Sequence, residues 1–597
     1  MKKAFILLAA CQQLAMAATV GFRVIAPNGT DVQVSINGQQ TKLSAQDADV
    51  PYFTGQADLP DNAKYKYVVN GQAESFDRTL DGGRTNTRND FYNRQVTYAN
   101  IPQFPSPIPD NAWTRGGAEA SMWDINYIPS VFITGDPTEV DNLVKNVPDT
   151  KLSVKFTFIG AEDVQVFNNC SFGIHGAGKK HNNAKQSWQW SLPDGQYIGN
   201  RNYIKIRHME EDPTQLREKL YADILQAMGT YSNRANMIRF FINGEGFGTF
   251  NMLDDVVQYS YIRAMFYGGK PPQQMGPLFD GASGASFQYF SNPDGYSSWI
   301  PNPSSPEDYT ALNSISQLLN QTNTQDDGQL QNLANAFDID HFLRFMVAEY
   351  LTADWDGYWM EQTNDGAYKD PTNNDTWYYL GQDYDATFGV NLDVPEGKDF
   401  ASVSYTQFPQ RYPNAVMINK LLENANIKTK FETYLKNTTQ VLFNNYTLTN
   451  RVLAYHEFLL PDLAWDRSIV QKSPGINYGW TFDMVTQNLW QGVSGTNTAS
   501  PGGAGQWGLL EWVVAKSQAV AKEFNIQIVD HPVLGGSSSA ASSAAASTGA
   551  SSTGSHPTSS MSGVEASGEQ SAGVLNAPAG WTTAAGLALG LIGFLSL

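Results

Sequence analysis

The sequence predicts an α+β protein: a small β-sandwich, then a larger mixed domain, then a tail without a folded core. Three observations carry that reading. Short alternating runs punctuated by Asn-Gly fill the first hundred residues. Beyond residue 150, strand-like runs give way to amphipathic helical ones, with one hairpin set among the helices. From 535 to 571 the chain is mainly Ser, Ala, Gly and Thr. A chain of 597 residues has room for several domains.

The N-terminus reads as a secretory leader. Lys2-Lys3 precede the apolar run Ala4–Ala10, and Ala15-Met16-Ala17 supplies small residues for cleavage after Ala17. The run is too short to span a bilayer. Cys11 leaves with residues 1–17, so Cys170 is the single cysteine of the mature chain. No internal disulfide is then available, and stability must come from a large core.

Residues 18–100 carry the sandwich. Gly21–Ala26, Val32–Ile36 and Tyr65–Val69 alternate or run apolar, and Asn37-Gly38 and Asn70-Gly71 are hairpin-turn dipeptides. Tyr65, Tyr67 and Phe76 are either a sugar platform or core, and core is the commoner fate of such side chains. Residues 101–117, with four prolines between Ile101 and Pro109, read as a linker.

The mixed domain covers 118–534. Val154–Ile159 and Asp163–Phe167 read as paired strands. The stretch Phe172–Trp188 brings glycines, including Gly176 and Gly178, together with lysines. Such a loop lets backbone approach a polyphosphate and sets an ammonium beside it, although it is a weak signal alone. Tyr203–Arg207 is a strand. Asp212-Pro213-Thr214-Gln215 starts a helix that Gly229 closes, with Arg217 in its early turns. Met237–Ile242 and Gly248–Leu253 flank the turn at Asn243-Gly244. Asp254-Asp255 then orient a lysine or cap a helix. Asp338 caps a helix over 339–351, and further helices lie near 416–422, 430–442 and on toward 529.

The stretch 348–390 organises the rest. A buried helix ends near Leu351, and a loop carries Asp354, Asp356 and Asn364. Ala367–Lys369 and Trp377–Leu380 form a hairpin, and Asp383 and Asp385 follow it. Acid, amide, hairpin, acid is an arrangement that holds a hard cation on oxygen and leaves one carboxylate to act as base. A structural Ca²⁺ site is the simpler alternative.

The tail adds an address. A stalk over 535–571 is followed by the small residues Ser571-Ala572-Gly573, a spacer and the apolar end Leu587–Leu597. Residues 572–597 thus read as a glycosylphosphatidylinositol signal with Ser571 as the attachment site. N-x-S/T sequons occur at Asn28, Asn169, Asn320, Asn374, Asn437 and Asn445. The net charge of −19 argues against nucleic acid as a partner. The expected location is the cell surface, on a lipid anchor.

Taken in order, Gly176-x-Gly178 to Lys185-Gln186-Ser187-Trp188, Asp212 to Leu216-Arg217 and Leu220, Phe241–Gly244, Asp354-Trp355-Asp356-Gly357-Tyr358 and Gln382–Gly389 resemble the spore coat protein H (CotH) kinase family. The whole layout is similar to the cell-surface CotH proteins of mucoralean fungi. The resemblance implies an atypical protein-kinase-like fold that moves phosphate from ATP, with Mg²⁺, to Ser/Thr of a protein substrate. It implies Asp356 as the catalytic aspartate. Asp383, with Asn364 and Asp385, would be the metal ligands. Lys185 would sit on the phosphates, with Gly176, Gly178 and Arg217 completing the nucleotide site. Two departures stand out: Asp354 replaces a frequent Asn, and Gly381-Gln382 replaces Pro-Trp. In the mucoralean group the family's invasins bind host-cell receptors. That implies a non-catalytic alternative for the polar segment 360–375, with Met360, Gln362, Thr363, Asn364, Asp365, Gly366, Tyr368 and Asp370 as its exposed contacts.

Overall fold

The computed structural model describes residues 17–176, 183–497 and 504–528. The leader through residue 16, Gly178 with its neighbouring lysines, the Ser/Ala tract, Ser571 and the tail 572–597 lie outside those residues. Among the described residues no helix is long and apolar enough to cross a membrane.

Two four-stranded sheets form the N-terminal sandwich. One orders Ser44–Ala45, Tyr52–Pro60, Ala17–Ile25 and Asp90–Phe91. The other orders Gln39–Lys42, Val32–Ile36, Tyr65–Val69 and Gln72–Ala73. Every second residue of Val32–Ile36 is buried, as its alternation requires. Asn37-Gly38 (φ 51° and 84°) and Asn70-Gly71 (φ 49° and 80°) take the paired left-handed conformation of a two-residue hairpin turn. Tyr65 and Tyr67 are buried, and their hydroxyls donate to Asp90 at 3.2 and 2.8 Å. They are core, not a platform. The proline-rich stretch is no free spacer either, because Ile101 and Ile108 are buried in the main core.

A closed seven-stranded barrel follows. Around it run Ser130–Thr134, Leu152–Ile159, Val164–Ile174, Trp188–Ser191, Tyr203–Arg207, Glu245–Leu253 and Ala235–Ile242. Neighbours are antiparallel except where Ala235–Ile242 meets Ser130–Thr134. Phe156, Phe172, Trp188, Trp190 and Phe240 fill the interior, beside the buried free Cys170. Asn243-Gly244 turns at φ 48° and 79°. The helix after the fifth strand starts at Arg217, later than the sequence suggested. Gln215 takes φ 60°, so a tight turn intervenes. Asp212 still caps at a distance: its Oδ2 accepts from the backbone N–H groups of Leu216 and Arg217, both at 2.7 Å.

The helical layer is built on Ile339–Thr352. Asp338 caps this helix by accepting from His341 N, and the helix is buried almost all round. Such a helix has no solvent face, so its position is fixed by core packing on every side. Ala353 at φ 49° ends it and sends the chain into Asp354-Trp355-Asp356-Gly357. Asp365–Asp370 then pairs with Thr376–Gly381 in a register that sets Lys369 opposite Trp377. The turn between them is as expected: Asp370 Oδ1 accepts from Thr372 N at 2.8 Å, and Asn374 and Asp375 are left-handed. Leu278–Gly281 and Trp299–Pro301 complete this four-stranded sheet. Ala425–Val441, Thr447–Ser468 and Leu509–Phe524 close the layer.

Candidate functional site

A cleft of about 990 Å³ is lined by barrel strands on one side and by the 354–356 loop and the hairpin ends on the other. The strand Tyr203-Ile204-Lys205-Ile206-Arg207 supplies its cations by simple alternation. Ile204 and Ile206 are buried in the barrel, while Tyr203, Lys205 and Arg207 line the cleft. Lys205 Nζ lies 3.9 Å from Asp255 Oδ1, so of the Asp254-Asp255 pair Asp255 is the one that faces a lysine. Asp254 itself is held by Arg201 at 2.8 and 3.0 Å.

Across the cleft stand the acids. Asp356 and Asn364 line it together, and Asn364 Nδ2 donates to the Asp356 carbonyl at 3.1 Å. Asp383, at φ 62°, and Asp385 follow the hairpin. Arg207 Nη2 lies 2.6 Å from Asp383 Oδ1 and donates to Asp385 Oδ2 at 2.9 Å. Glu218, on the helix after the barrel strand, completes the group. Ligand oxygens of Glu218, Asp383 and Asp385 lie within 4.8 Å of one another. Neither carboxylate oxygen of Glu218 has a hydrogen-bond partner, and the residue is fully buried. Burial first, then the charges of Asp383 and Asp385, push its carboxyl up to about 8. The acidity continues inward. Burial and the neighbouring Glu349 and Asp356 hold Asp354 well above the carboxylate range. Glu349 is pushed up to about 7 by burial, although it accepts from Trp359 N at 2.7 Å and Tyr379 OH at 2.9 Å. The first of these bonds ties the short helix Tyr358–Glu361, just after Asp356, to Glu349.

The structure brings together Asp356, Asn364, Asp383 and Asp385 from the sequence reading. Gly176 also lines the cleft, in a left-handed conformation (φ 77°) that explains the glycine. Two expected residues lie elsewhere. Lys185 is turned away into a buried ion pair: its Nζ donates to Asp466 Oδ1 at 2.6 Å and to the Thr249 carbonyl at 2.7 Å. Arg217 is fully buried too. It donates to Asp212, Asn488 and the carbonyls of Thr387 and Trp507, tying three chain segments together. Gly178 lies outside the described residues. The segment 360–375 also differs from its reading as an exposed loop. Gln362, Asp365, Gly366, Tyr368 and Asp370 are buried, Met360, Thr363 and Asn364 are half-buried, and full exposure is confined to Glu361 and Pro371–Asp375. The cause is pairing: Asp365–Asp370 is an inner strand between Leu278–Gly281 and Thr376–Gly381. The six sequon asparagines, by contrast, are all exposed.

Lys205 and Arg207, which line the cleft, and Glu218, buried beside Asp383 and Asp385, are among the residues that motif reading missed. The alternation of Tyr203–Arg207 was visible, and it puts two cations on one face. Glu218 had no such signal beyond its place next to Arg217.

Fold and cleft together define an α+β protein built around an acidic pocket faced by strand-borne cations. The chain belongs to the CotH kinase family, whose model, described as CotH kinase protein, matches residues 172–488. It is 62% identical over 533 residues to Invasin CotH3 of Rhizopus delemar, covering 88% of each chain. It is 62% identical over 524 residues to Invasin CotH2 of the same fungus, covering 87% of this chain and 86% of that one. To Spore coat protein homolog 1 it is 55% identical over 506 residues, covering 84% and 82%.

Proposed function

We propose that the cleft transfers phosphate from Mg²⁺-bound ATP to a protein hydroxyl. The observation that carries this reading is the convergence of Glu218, Asp383 and Asp385 beside Lys205 and Arg207, with Asp356 on the same cleft. The donor set is all hard oxygen, which suits Mg²⁺. The buried, unpartnered oxygens of Glu218 are the strongest local argument that a cation belongs there, since such a group is costly to bury alone. Asp383, Asp385 and Glu218 would hold it, with Asn364 nearby, and a divalent ion there would neutralise charge on the phosphate oxygens.

The chain's own residues have distinct tasks. Lys205, in ion-pair range of Asp255, takes the role expected of Lys185 and pairs with phosphate oxygens. A strand lysine, a glutamate on the following helix, a loop aspartate, an amide and a post-hairpin aspartate are the parts protein kinases use. Asp356 accepts the proton as the acceptor hydroxyl oxygen bonds to the γ-phosphorus and the bond from that phosphorus to the β-phosphate oxygen breaks, releasing ADP. Asn364 and the helix braced by Glu349 keep the Asp356 loop in place. The test is incorporation of labelled γ-phosphate into the purified protein, with Asp356→Ala as comparison. The variant should lose incorporation by a factor on the order of 10² or more while Mg²⁺–ATP still raises its melting temperature. Undiminished incorporation would refute the role of Asp356.

A second reading rests on the relatives' names. Two of them are called invasins, which supports host-cell contact and a cell-surface location for this chain, reached by the leader and lipid anchor read from its ends. The exposed turn Pro371–Asp375 is the part of the candidate segment a receptor could reach. Replacing it with Gly/Ser should reduce binding of the soluble head to host cells, and unchanged binding would exclude this segment.

A further inference from the structure

We infer that Arg207 is a resident counter-ion at the carboxylate cluster, and that cation and nucleotide bind cooperatively because both act on it. The inference rests on the proposed phosphate-transfer reading of the cleft. Its basis is the placement of one guanidinium. Arg207 Nη2 reaches Asp383 Oδ1 at 2.6 Å and Asp385 Oδ2 at 2.9 Å. These are two of the three carboxylates whose oxygens lie within 4.8 Å of one another. The guanidinium therefore holds oxygens that a divalent ion would need. The third carboxylate, Glu218, receives no hydrogen bond from it or from any other described residue.

Arg207 Nη2 faces two carboxylates at once, bonding Asp385 and lying in ion-pair range of Asp383. A divalent ion that drew Asp383 and Asp385 into its own shell would compete with Arg207 for them. That competition lowers the affinity for the ion alone. The released guanidinium would be a half-buried charge without a partner, which is costly unless an anion takes the carboxylates' place. A polyphosphate is that anion, and guanidinium geometry matches it. Arg207 lines the cleft, and its Nε is buried without an acceptor, so a donor is already available there. Each ligand thus removes the cost of the other. By linkage the effect is reciprocal: ATP must raise affinity for the metal by the factor by which the metal raises affinity for ATP. The shape of Arg207 matters as well as its charge, since a lysine is a point charge and bridges two carboxylates less well.

The test uses the full chain and titration calorimetry with Mn²⁺ alone, with a non-hydrolysable ATP analogue alone, and with each in the presence of the other. In the wild type, Mn²⁺ alone should bind weakly and the analogue should tighten it. In Arg207→Met, Mn²⁺ alone should bind roughly tenfold tighter, the scale of one lost charged hydrogen bond. The gain from adding the analogue should shrink toward none. Arg207→Lys should fall between, and it guards against a Met variant that fails to fold. If both variants bind Mn²⁺ alone no tighter than the wild type while the analogue still binds, the counter-ion role is overturned and the nucleotide reading stands. If the wild type binds neither Mn²⁺ nor the analogue under any condition, both are overturned.

Discussion

Lys185 separates the two ways of placing the phosphate-binding cation. By motif it is the nucleotide lysine, and by structure it is half of a buried ion pair. Replace it with Met. Both charged side chains of the pair are 1% exposed, so the loss strands Asp466 in the interior. Breaking a buried pair from one side costs about 3–5 kcal/mol. The lower end applies here, because Asp466 keeps other donors: Thr249 N at 2.9 Å, Gln215 Nε2 at 2.7 Å and Arg467 at 3.8 Å. At about 2 °C per kcal/mol for a large folding unit, the melting temperature should fall by roughly 6 °C. Adding Asp466→Asn removes the stranded charge but keeps an acceptor, so the double variant should recover at least half of that loss.

The assay is calorimetric melting with and without Mg²⁺–ATP, since a ligand that binds only the native state raises the transition by mass action. Lys185→Met should melt early yet keep the nucleotide-induced rise. Lys205→Met should lose the rise. The reasoning fails if Lys185→Met melts at the wild-type temperature and has lost its response to nucleotide. Lys185 would then face phosphate in the working protein, and the pair with Asp466 would be a contact it readily leaves.

Two further predictions concern buried titratable groups. Glu218 is pushed up to about 8, far above its unfolded value, so the native state favours the protonated acid. Its contribution is therefore full below the unfolded value and is lost as pH rises toward 8, at up to about 1.4 kcal/mol per unit. Without metal, melting should decline between pH 5 and 8, and Glu218→Gln should flatten that decline while weakening Mn²⁺ binding roughly tenfold. A steep decline retained in the variant would assign the effect to another acid. Lys516 runs the opposite way. Burial lowers it to about 7, with its Nζ 3.5 Å from the centre of the Tyr350 ring. The unfolded chain holds that proton up to its ordinary value near 10, so stability rises with pH from about 7 to about 10. Lys516→Met should raise the melting temperature at pH 6 and have little effect at pH 10. Equal effects at both pH values would rule out the lysine as the source.

Most of the scaffold was legible because it rests on local rules. Asn37-Gly38, Asn70-Gly71 and Asn243-Gly244 became the left-handed turns they encode, and Asp338 capped the helix it precedes. The acidic half of the site was legible for the same reason: Asp356, Asn364, Asp383 and Asp385 hang on one helix and one hairpin that are close in sequence. The cationic half was not. Lys185 is answered by Asp466, 281 residues away, and Arg207 by Asp385, 178 residues away. Neither pairing has a local signature. Exposure of segment 360–375 misread for a related reason. A polar strand looks like a loop until a distant neighbour, here Leu278–Gly281, supplies the pairing that buries it.

The site also shows where ordinary folding rules are broken, and that is an argument for chemistry. Charged residues are seldom fully buried unless paired, and elsewhere the chain obeys: Asp466 with Lys185, Asp462 with Arg239, Asp223 with Lys219 and Arg451. In each of those the aspartate is held below its usual range by the cation beside it. Around the cleft the sign reverses. Glu218, Glu349, Asp354 and Asp365 are buried acids whose carboxyls are all raised, with acid beside acid. The same chain thus pairs aspartates with cations for stability and gathers acid beside acid around the cleft. A fold gains no stability from the second kind. Their cost is offset if something positive arrives, and Asp383 and Asp385 line the cleft that Lys205 and Arg207 face.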